Sequence, residues 1–126
     1  MVDSSEVFVS ATHRVTLDWP SQGASMNSRK NWRSKHALQK KMKHDAMMLC
    51  RDLPECTMTG NIPVRITFYP PDKRRRDADN LLSSIKTALD AIAEQIGSDD
   101  SNFWPLTLDK GEKVKNGKVE IDLFYA

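Results

Sequence analysis

Apolar and polar residues alternate in two segments of this chain, and a period of two residues is the pattern of a β-strand with one buried face. The segments are residues 7–19, followed by Pro20, and residues 62–69, followed by Pro70-Pro71. Proline has no backbone N–H to give to a sheet, so each predicted strand ends at its prolines. The apolar residues that would share a face are Val15, Leu17 and Trp19 in the first strand and Val64, Ile66 and Phe68 in the second.

Two other segments carry apolar residues at the helical spacing of about 3.6 residues. The first covers residues 29–53 and stops before Pro54, and the second covers residues 80–96 and stops before Gly97, a residue common just after helices. The predicted apolar positions are Trp32, Ala37, Leu38, Met42, Ala46, Leu49 and Leu53 in the first helix and Leu82, Ile85, Leu89, Ile92 and Ile96 in the second. These positions, Trp32 included, are expected in the core.

Residues 106–108 and 118–125 are predicted to form two more strands, joined by a loop in which Asn116-Gly117 is a turn signal. The resulting order is β-α-β-α-β-β. It favours an α+β fold in which two main helices pack on a small mixed β-sheet. At 126 residues, the chain is expected to form one domain spanning residues 1–126.

Charge is segregated along the chain, although the formal net charge is only +2. Residues 29–43 contain no acid, whereas in residues 77–100 Lys86 is the one base among the acids. A basic surface beside an acidic pocket suits a polyanion that is held and then met by cations. The bases of the first helix that would contact such a polyanion are Arg29, Lys30, Arg33, Lys35 and Lys40.

The segment covering residues 73–80 places two acids directly after four bases. In an extended backbone alternate side chains point the same way, so Asp77 and Asp79 can face one cation. Mg²⁺ takes oxygen ligands and is usually held by one or two carboxylates together with phosphate oxygens. The pattern therefore predicts a magnesium site, and the bases that would bind phosphate beside it are Lys73, Arg74, Arg75 and Arg76. Alternatively, Asp79 or Asn80 caps the following helix and the bases form a solvated loop.

Three more charged residues of the acidic region are candidates for the same site. On a regular helix Lys86 shares one face with Asp79 and Asp90, where its ammonium could stabilise a phosphate; alternatively it forms an ordinary pair with Asp90. Asp99 and Asp100 follow the helix directly. They either return to supply a further carboxylate or form a solvated turn.

Cys50 and Cys56 are too few and too widely spaced for a redox motif, and free thiols are expected. A zinc site combining them with His36 and His44 would match no common spacing. The acidic N-terminus is unlike a signal peptide, and no apolar run is long enough to span a membrane. A cytoplasmic protein without membrane association is therefore expected.

With these residues considered together, the chain resembles the RusA family of Holliday junction resolvases, small endonucleases of phages and prophages. The resemblance spans most of the chain. The residues that carry it are Leu17-Asp18-Trp19-Pro20, Asn27, residues 70–81 with their Arg-Arg-Asp-x-Asp-Asn-Leu core, Lys86, Leu89-Asp90 and Asp99-Asp100.

The resemblance implies a homodimer that binds four-way DNA junctions and nicks two opposed strands, using Mg²⁺, with Mn²⁺ as the alternative ion. Asp77, Asp79 and Asp100 would be catalytic metal ligands, with Asp99 beside them, and Lys86 a catalytic or phosphate-contacting base. In some family members the lysine follows the second aspartate by one helical turn, whereas here it follows by two. The protein would be found in the cytoplasm of a bacterium or of a phage-infected host.

Two other functions are compatible with parts of the pattern. The chain could be a non-catalytic DNA-binding module whose basic first helix lies along the duplex, with Trp32 in the core or wedged between bases. It could also be a small interaction protein with a charged surface. Neither explains why acids are concentrated beside the arginines, where they repel DNA unless a cation intervenes.

Overall fold

The computed structural model describes residues 12–20, 32–57 and 60–125. Their strands and helices follow the order β-α-β-α-α-β-β, and the predicted α+β fold with a mixed sheet is confirmed. The elements are β1 (Thr12–Asp18), α1 (Trp32–Leu49), β2 (Val64–Tyr69), α2 (Ala78–Ser84), α3 (Lys86–Gln95), a 3-10 turn (Asp100–Asn102), β3 (Leu106–Lys110) and β4 (Lys118–Phe124). No helix within this part of the chain is long and apolar enough to cross a membrane.

The four strands form one sheet in the order β1-β4-β2-β3. β4 is antiparallel to both β1 and β2, whereas β2 and β3 are parallel. The turn predicted at Asn116-Gly117 is present, with positive φ angles of 66° and 68°. The strands on either side of it are not neighbours, because β4 inserts between β1 and β2 and leaves β3 at the edge.

The core lies between one face of the sheet and the helices. The predicted alternation is confirmed in β2, whose Val64, Ile66 and Phe68 are buried, and in β1, whose Val15 and Leu17 are buried. Val119, Ile121 and Leu123 of β4 lie beside them on the same face of the sheet. The buried residues of α3 are Ala88, Leu89, Ala91, Ile92 and Ala93.

The opposite face of the sheet is polar. Arg14 of β1 contacts two acids of β4, with its Nε 2.6 Å from Asp122 and its Nη1 3.4 Å from Glu120. The hydrogen bond and charge of Asp122 raise the pKa of Arg14. Helices therefore cover one face of the sheet in the described residues, and the other face carries cross-strand ion pairs.

The first helix differs from its prediction at its end and on its apolar face. It ends at Leu49 rather than at Leu53, because residues 50–52 form a turn in which the Leu53 N–H donates to the Cys50 carbonyl at 3.0 Å. Trp32 is 72% exposed and Leu49 is 55% exposed, so the expectation that both lie in the core is wrong. Only Ala46 is fully buried on this helix, because the helix packs against α3 along a narrow strip.

The helix predicted over residues 80–96 is interrupted at Ile85, which has φ −112° and ψ 10°. The hydroxyl group of Ser84 donates to the Leu81 carbonyl at 2.6 Å, a local bond that competes with the regular helical pattern. The Ile85 side chain is completely buried, so the core holds the interruption in place. Residues before and after it do not share one continuous helix face.

Candidate active site

Asp72 organises the arginine-rich loop between β2 and α2. Its carboxylate accepts from the Arg74 N–H at 2.9 Å and from the Arg74 Nε at 3.2 Å, and it lies 2.9 Å from Nη2 of Arg76. The backbone and side-chain hydrogen bonds of Arg74, followed by that of Arg76, lower the pKa of Asp72 to about 2. The sequence analysis assigned no role to this residue. An aspartate after Pro70-Pro71 is nevertheless a turn signal, because its carboxylate can accept a hydrogen bond from the backbone N–H two residues later.

Arg76 stabilises the same loop. Its side chain is only 17% exposed, and its guanidinium lies 5.1 Å from the centre of the Trp19 ring. It also donates to the carbonyl groups of Asp72 and Arg74. Arg76 thus ties the loop to the end of β1, whereas the three preceding bases, Lys73, Arg74 and Arg75, are exposed.

The carboxylates of Asp77 and Asp79 lie at the start of α2, and both residues are exposed. Asp77 is the N-cap residue, with an extended backbone at φ −88° and ψ 140°, and its side chain makes no capping hydrogen bond. Asp79 and Asn80 lie inside the helix rather than at its cap, so neither has the capping position considered above. The expectation of an extended backbone from Asp77 to Asp79 is also wrong, because the helix already begins at Ala78. In the described part of the chain, Asp77 therefore presents a carboxylate to solvent at a position where carboxylates usually bond the helix.

Asp100 returns towards the beginning of α3. Its Oδ2 lies 3.2 Å from Nζ of Lys86, the first residue of that helix. Asp100 also contacts Asp90, so the chain after α3 runs back along the helix far enough to meet both side chains. Asp100 thus lies beside Lys86, whereas the return of Asp99-Asp100 to the metal site of Asp77 and Asp79 stays a prediction.

Asp90 is a third member of this cluster, and sequence reasoning assigned it only as an ordinary partner of Lys86. Loss of solvent around its carboxyl group, a hydrogen bond with Asp100 and repulsion from that residue raise the pKa of Asp90 to about 6, although much of its side chain is exposed. The hydrogen bonds from Asp90 and Lys86 lower the pKa of Asp100. The signal that could have identified Asp90 is its position one helical turn after Lys86.

Asp99 has a local structural contact. Its Oδ1 accepts the backbone N–H of Ser101 at 2.9 Å, which caps the 3-10 turn that contains Asp100. Asp99 thus holds its neighbour in position beside Lys86.

Asp77 and Asp79 lie at the start of α2, before Ile85 in the chain, whereas the residues of the Lys86–Asp90–Asp100 cluster follow Ile85. Among the described residues, no group of three or more His, Cys, Asp or Glu side chains is arranged to hold a metal ion. The residues of the zinc combination considered above are among those described, and neither Cys50, which is buried, nor Cys56 forms a disulfide. The exposed carboxylate pair of Asp77 and Asp79 nevertheless fits Mg²⁺ by its chemistry, because that ion commonly keeps several waters and binds one or two carboxylates.

The predicted DNA-binding bases of α1 differ in what they contact. Arg33 lies over the ring of Trp32 at 5.4 Å, and Lys40 is exposed while Lys35 is half-buried. Lys41 and Lys43, the other bases of this helix, form ion pairs with Asp45 at 2.9 Å and Glu94 at 3.4 Å. Arg29 and Lys30 lie outside the described residues.

Comparison with known proteins identifies the family. A family model described as Endodeoxyribonuclease RusA matches residues 19–123, a span that includes every acidic and basic residue assigned to the site. The chain is also 32% identical over 116 residues to an uncharacterized protein of Xylella fastidiosa (strain Temecula1), a match that covers 86% of this chain and 74% of that protein. The chain belongs to the RusA endodeoxyribonuclease family, whose members are Holliday junction resolving endonucleases.

Proposed function

We propose that this protein is a Mg²⁺-dependent endodeoxyribonuclease that binds a four-way DNA junction as a homodimer and nicks two opposed strands. The observation that carries the proposal is the exposed pair of Asp77 and Asp79 directly after a basic loop, with the Asp77 side chain not used to cap α2. Carboxylates beside phosphate-binding bases weaken DNA binding unless a cation separates them from the phosphates. A pair placed there is explained by metal-dependent cleavage.

Asp77 and Asp79 would hold the ion, with Asp100 as a further ligand. When bound, Mg²⁺ supplies a water of lowered pKa and neutralises charge on the phosphate oxygens. Mn²⁺ has similar oxygen-ligand preferences and is expected to replace it. The remaining parts of the reaction are assigned to the side chains of this chain.

Lys86 would bring its ammonium to the scissile phosphate, where a fixed positive charge is most valuable in the transition state. The ion pair with Asp100 supports this role, because it directs the lysine side chain towards the carboxylate that is proposed as a further metal ligand. Ile85 lies between Asp79 and Lys86 and is not helical. The longer spacing of this lysine from the second aspartate therefore does not correspond to one additional turn of regular helix.

The exposed bases Lys73, Arg74 and Arg75, together with Arg33 and Lys40 of α1, would contact backbone phosphates. Such contacts carry little sequence information, so the shape of the junction is expected to dominate recognition. Binding by phosphate contacts also releases counterions, and affinity should therefore fall steeply with salt concentration.

The dimer is proposed from the symmetry of the substrate. Two opposed strands of a four-way junction are related by a two-fold axis, and a homodimer presents two active sites with that same relation. Static light scattering at micromolar concentration would test it, and a monomer both free and on DNA would contradict it. We also propose that the whole chain forms a single endonuclease domain, which acts in the cytoplasm.

The proposal is tested with a synthetic four-way junction and purified protein. Asp77→Asn and Asp79→Asn are expected to lose Mg²⁺-dependent nicking while binding the junction as tightly as the wild type or more tightly, because each removes a charge that repels DNA. Asp52→Asn is the matched control, because Asp52 lies near the other end of α3 from Lys86. The carbonyl of the preceding residue, Arg51, accepts a hydrogen bond from Gln95, the last residue of that helix. Absence of cleavage by the wild type with Mg²⁺ or Mn²⁺ across salt and pH would instead favour a DNA-binding module.

A further inference from the structure

Trp104 is a large apolar side chain held at the surface by an ordered backbone. It is 63% exposed, whereas the preceding Phe103 is anchored in the core and only 4% exposed. The Trp104 N–H donates to the Asn102 carbonyl at 2.9 Å, and the Pro105 carbonyl accepts from the Val64 N–H at 3.0 Å. These bonds fix the chain on both sides of the exposed indole.

The indole lines a cleft of about 290 Å³ that also contains two residues of the candidate active site. The apolar lining comes from Leu82, Leu89, Phe103, Trp104 and Leu106, and the polar lining from Lys86, Asp100 and Ser101. We propose that a nucleobase whose stacking is interrupted at the branch point of the DNA substrate stacks on Trp104 in this cleft. The inference rests on the proposed function for its substrate, branched DNA. It assigns to Trp104 the role of distinguishing branched DNA from a continuous duplex.

The lining of the cleft matches the two parts of a nucleotide. A base has a flat apolar face, which the Trp104 ring and the leucines can cover, and its phosphate carries the negative charge that the Lys86 ammonium can meet. Bases stack on aromatic side chains with little dependence on sequence, because every base has a π-face. In a continuous duplex both faces of each base are already covered, so only DNA with an accessible base can occupy the cleft.

A second copy of the chain is the other occupant to consider, because Trp104 precedes β3, the edge strand of the sheet. The nucleotide is favoured because Lys86 and Asp100 line the same cleft. A protein seated on Trp104 would cover the residues that must reach the scissile phosphate. A DNA strand passing those residues has its bases within reach of the indole.

The experiment compares binding of a four-way junction and of a duplex of equal length, without metal and at one fixed salt concentration, by fluorescence anisotropy. Trp104→Ala is expected to weaken junction binding about tenfold and to leave duplex binding unchanged. Trp104→Phe, which keeps a ring, should stay within about threefold of the wild type, whereas Trp104→Leu, which keeps apolar bulk without a ring, should behave like the alanine variant. Should the alanine variant not fold, the Phe and Leu variants provide the same comparison.

Met48→Ala is the control, because Met48 is also a large apolar side chain at the surface, 50% exposed, but lies near the end of α1 outside the cleft. An unchanged junction-to-duplex ratio in Trp104→Ala, or an equal junction-specific loss in Met48→Ala, would overturn the proposal. Light scattering that shows a wild-type dimer and a Trp104→Ala monomer would overturn it in favour of a second copy. If the wild type never cleaves DNA but Trp104→Ala still loses junction binding selectively, the nuclease function fails and the stacking site remains.

Discussion

The two acidic regions of this protein differ in how their carboxylates are held. At the start of α2, Asp77 and Asp79 are exposed, and Asp77 does not cap its helix. Around the start of α3, Asp100 contacts Lys86 and Asp90. The first region resembles a ligand pair presented for a cation, and the second resembles a preorganised cluster in which two carboxyl groups and one ammonium contact one another.

The largest expected effect follows from removing a carboxylate of the first region. Asp77→Asn or Asp79→Asn should reduce the cleavage rate by about 10²- to 10³-fold, because a bound metal supplies several kcal/mol of transition-state stabilisation. Single-turnover cleavage with saturating protein measures the loss directly. If both variants cleave at the wild-type rate, the first region is not the metal-binding part of the site.

The boundary between the two regions depends on Ile85, whose side chain is completely buried. Ile85→Ala should destabilise the fold by about 2–5 kcal/mol, and Ile85→Val by about 0.5–1.5 kcal/mol, because the first removes more buried volume. Urea denaturation monitored by circular dichroism measures both. A loss below about 1 kcal/mol for the alanine variant would show that the core does not fix this interruption.

A smaller effect is expected from the lysine of the second region. Lys86→Met should slow cleavage by about 10- to 100-fold with little change in junction affinity, and Lys86→Arg should recover part of the rate, because it retains the charge. The change in stability should stay below about 1 kcal/mol, since Lys86 is 54% exposed and its pair with Asp100 is screened by solvent. Unchanged cleavage in the methionine variant would leave Lys86 as a structural partner of Asp100 alone.

The smallest effect concerns the loop that leads into the first region. The pKa of Asp72 is lowered to about 2 in the folded protein, so its contribution to stability is complete above about pH 4 and is lost as the pH falls towards 2. Asp72→Asn should therefore lower the melting temperature slightly at pH 6 and converge with the wild type near pH 2. Parallel melting curves across that range would show that Asp72 does not stabilise the loop.

The sequence predicted the elements whose residues are constrained locally. The strand containing Val64, Ile66 and Phe68 was recognised because one buried face imposes a two-residue period, and its end because Pro70 cannot continue a sheet. The position of β4 between β1 and β2 could not be read in this way. It depends on pairing between residues more than a hundred positions apart, such as Val15 and Ile121.

The site shows the same limit. The motif at Asp77 and Asp79 is local, so the sequence could single out both residues, and their role as metal ligands stays a prediction. The interruption at Ile85 was missed because Ser84 and the core override the helical spacing, and Trp32 was misplaced because apolar spacing does not show how much of a helix face is covered. The contact between Lys86 and Asp100 required the path of the chain after α3, which spacing alone left open.

Crystals grown with Mn²⁺ and examined by anomalous scattering test the central claim most directly. The account predicts an ion bound by the carboxylates of Asp77 and Asp79, at the short oxygen distances of about 2.0–2.3 Å typical of small divalent cations, with Asp100 as a further ligand. An ion bound away from both Asp77 and Asp79, or no ion at millimolar Mn²⁺, would contradict it.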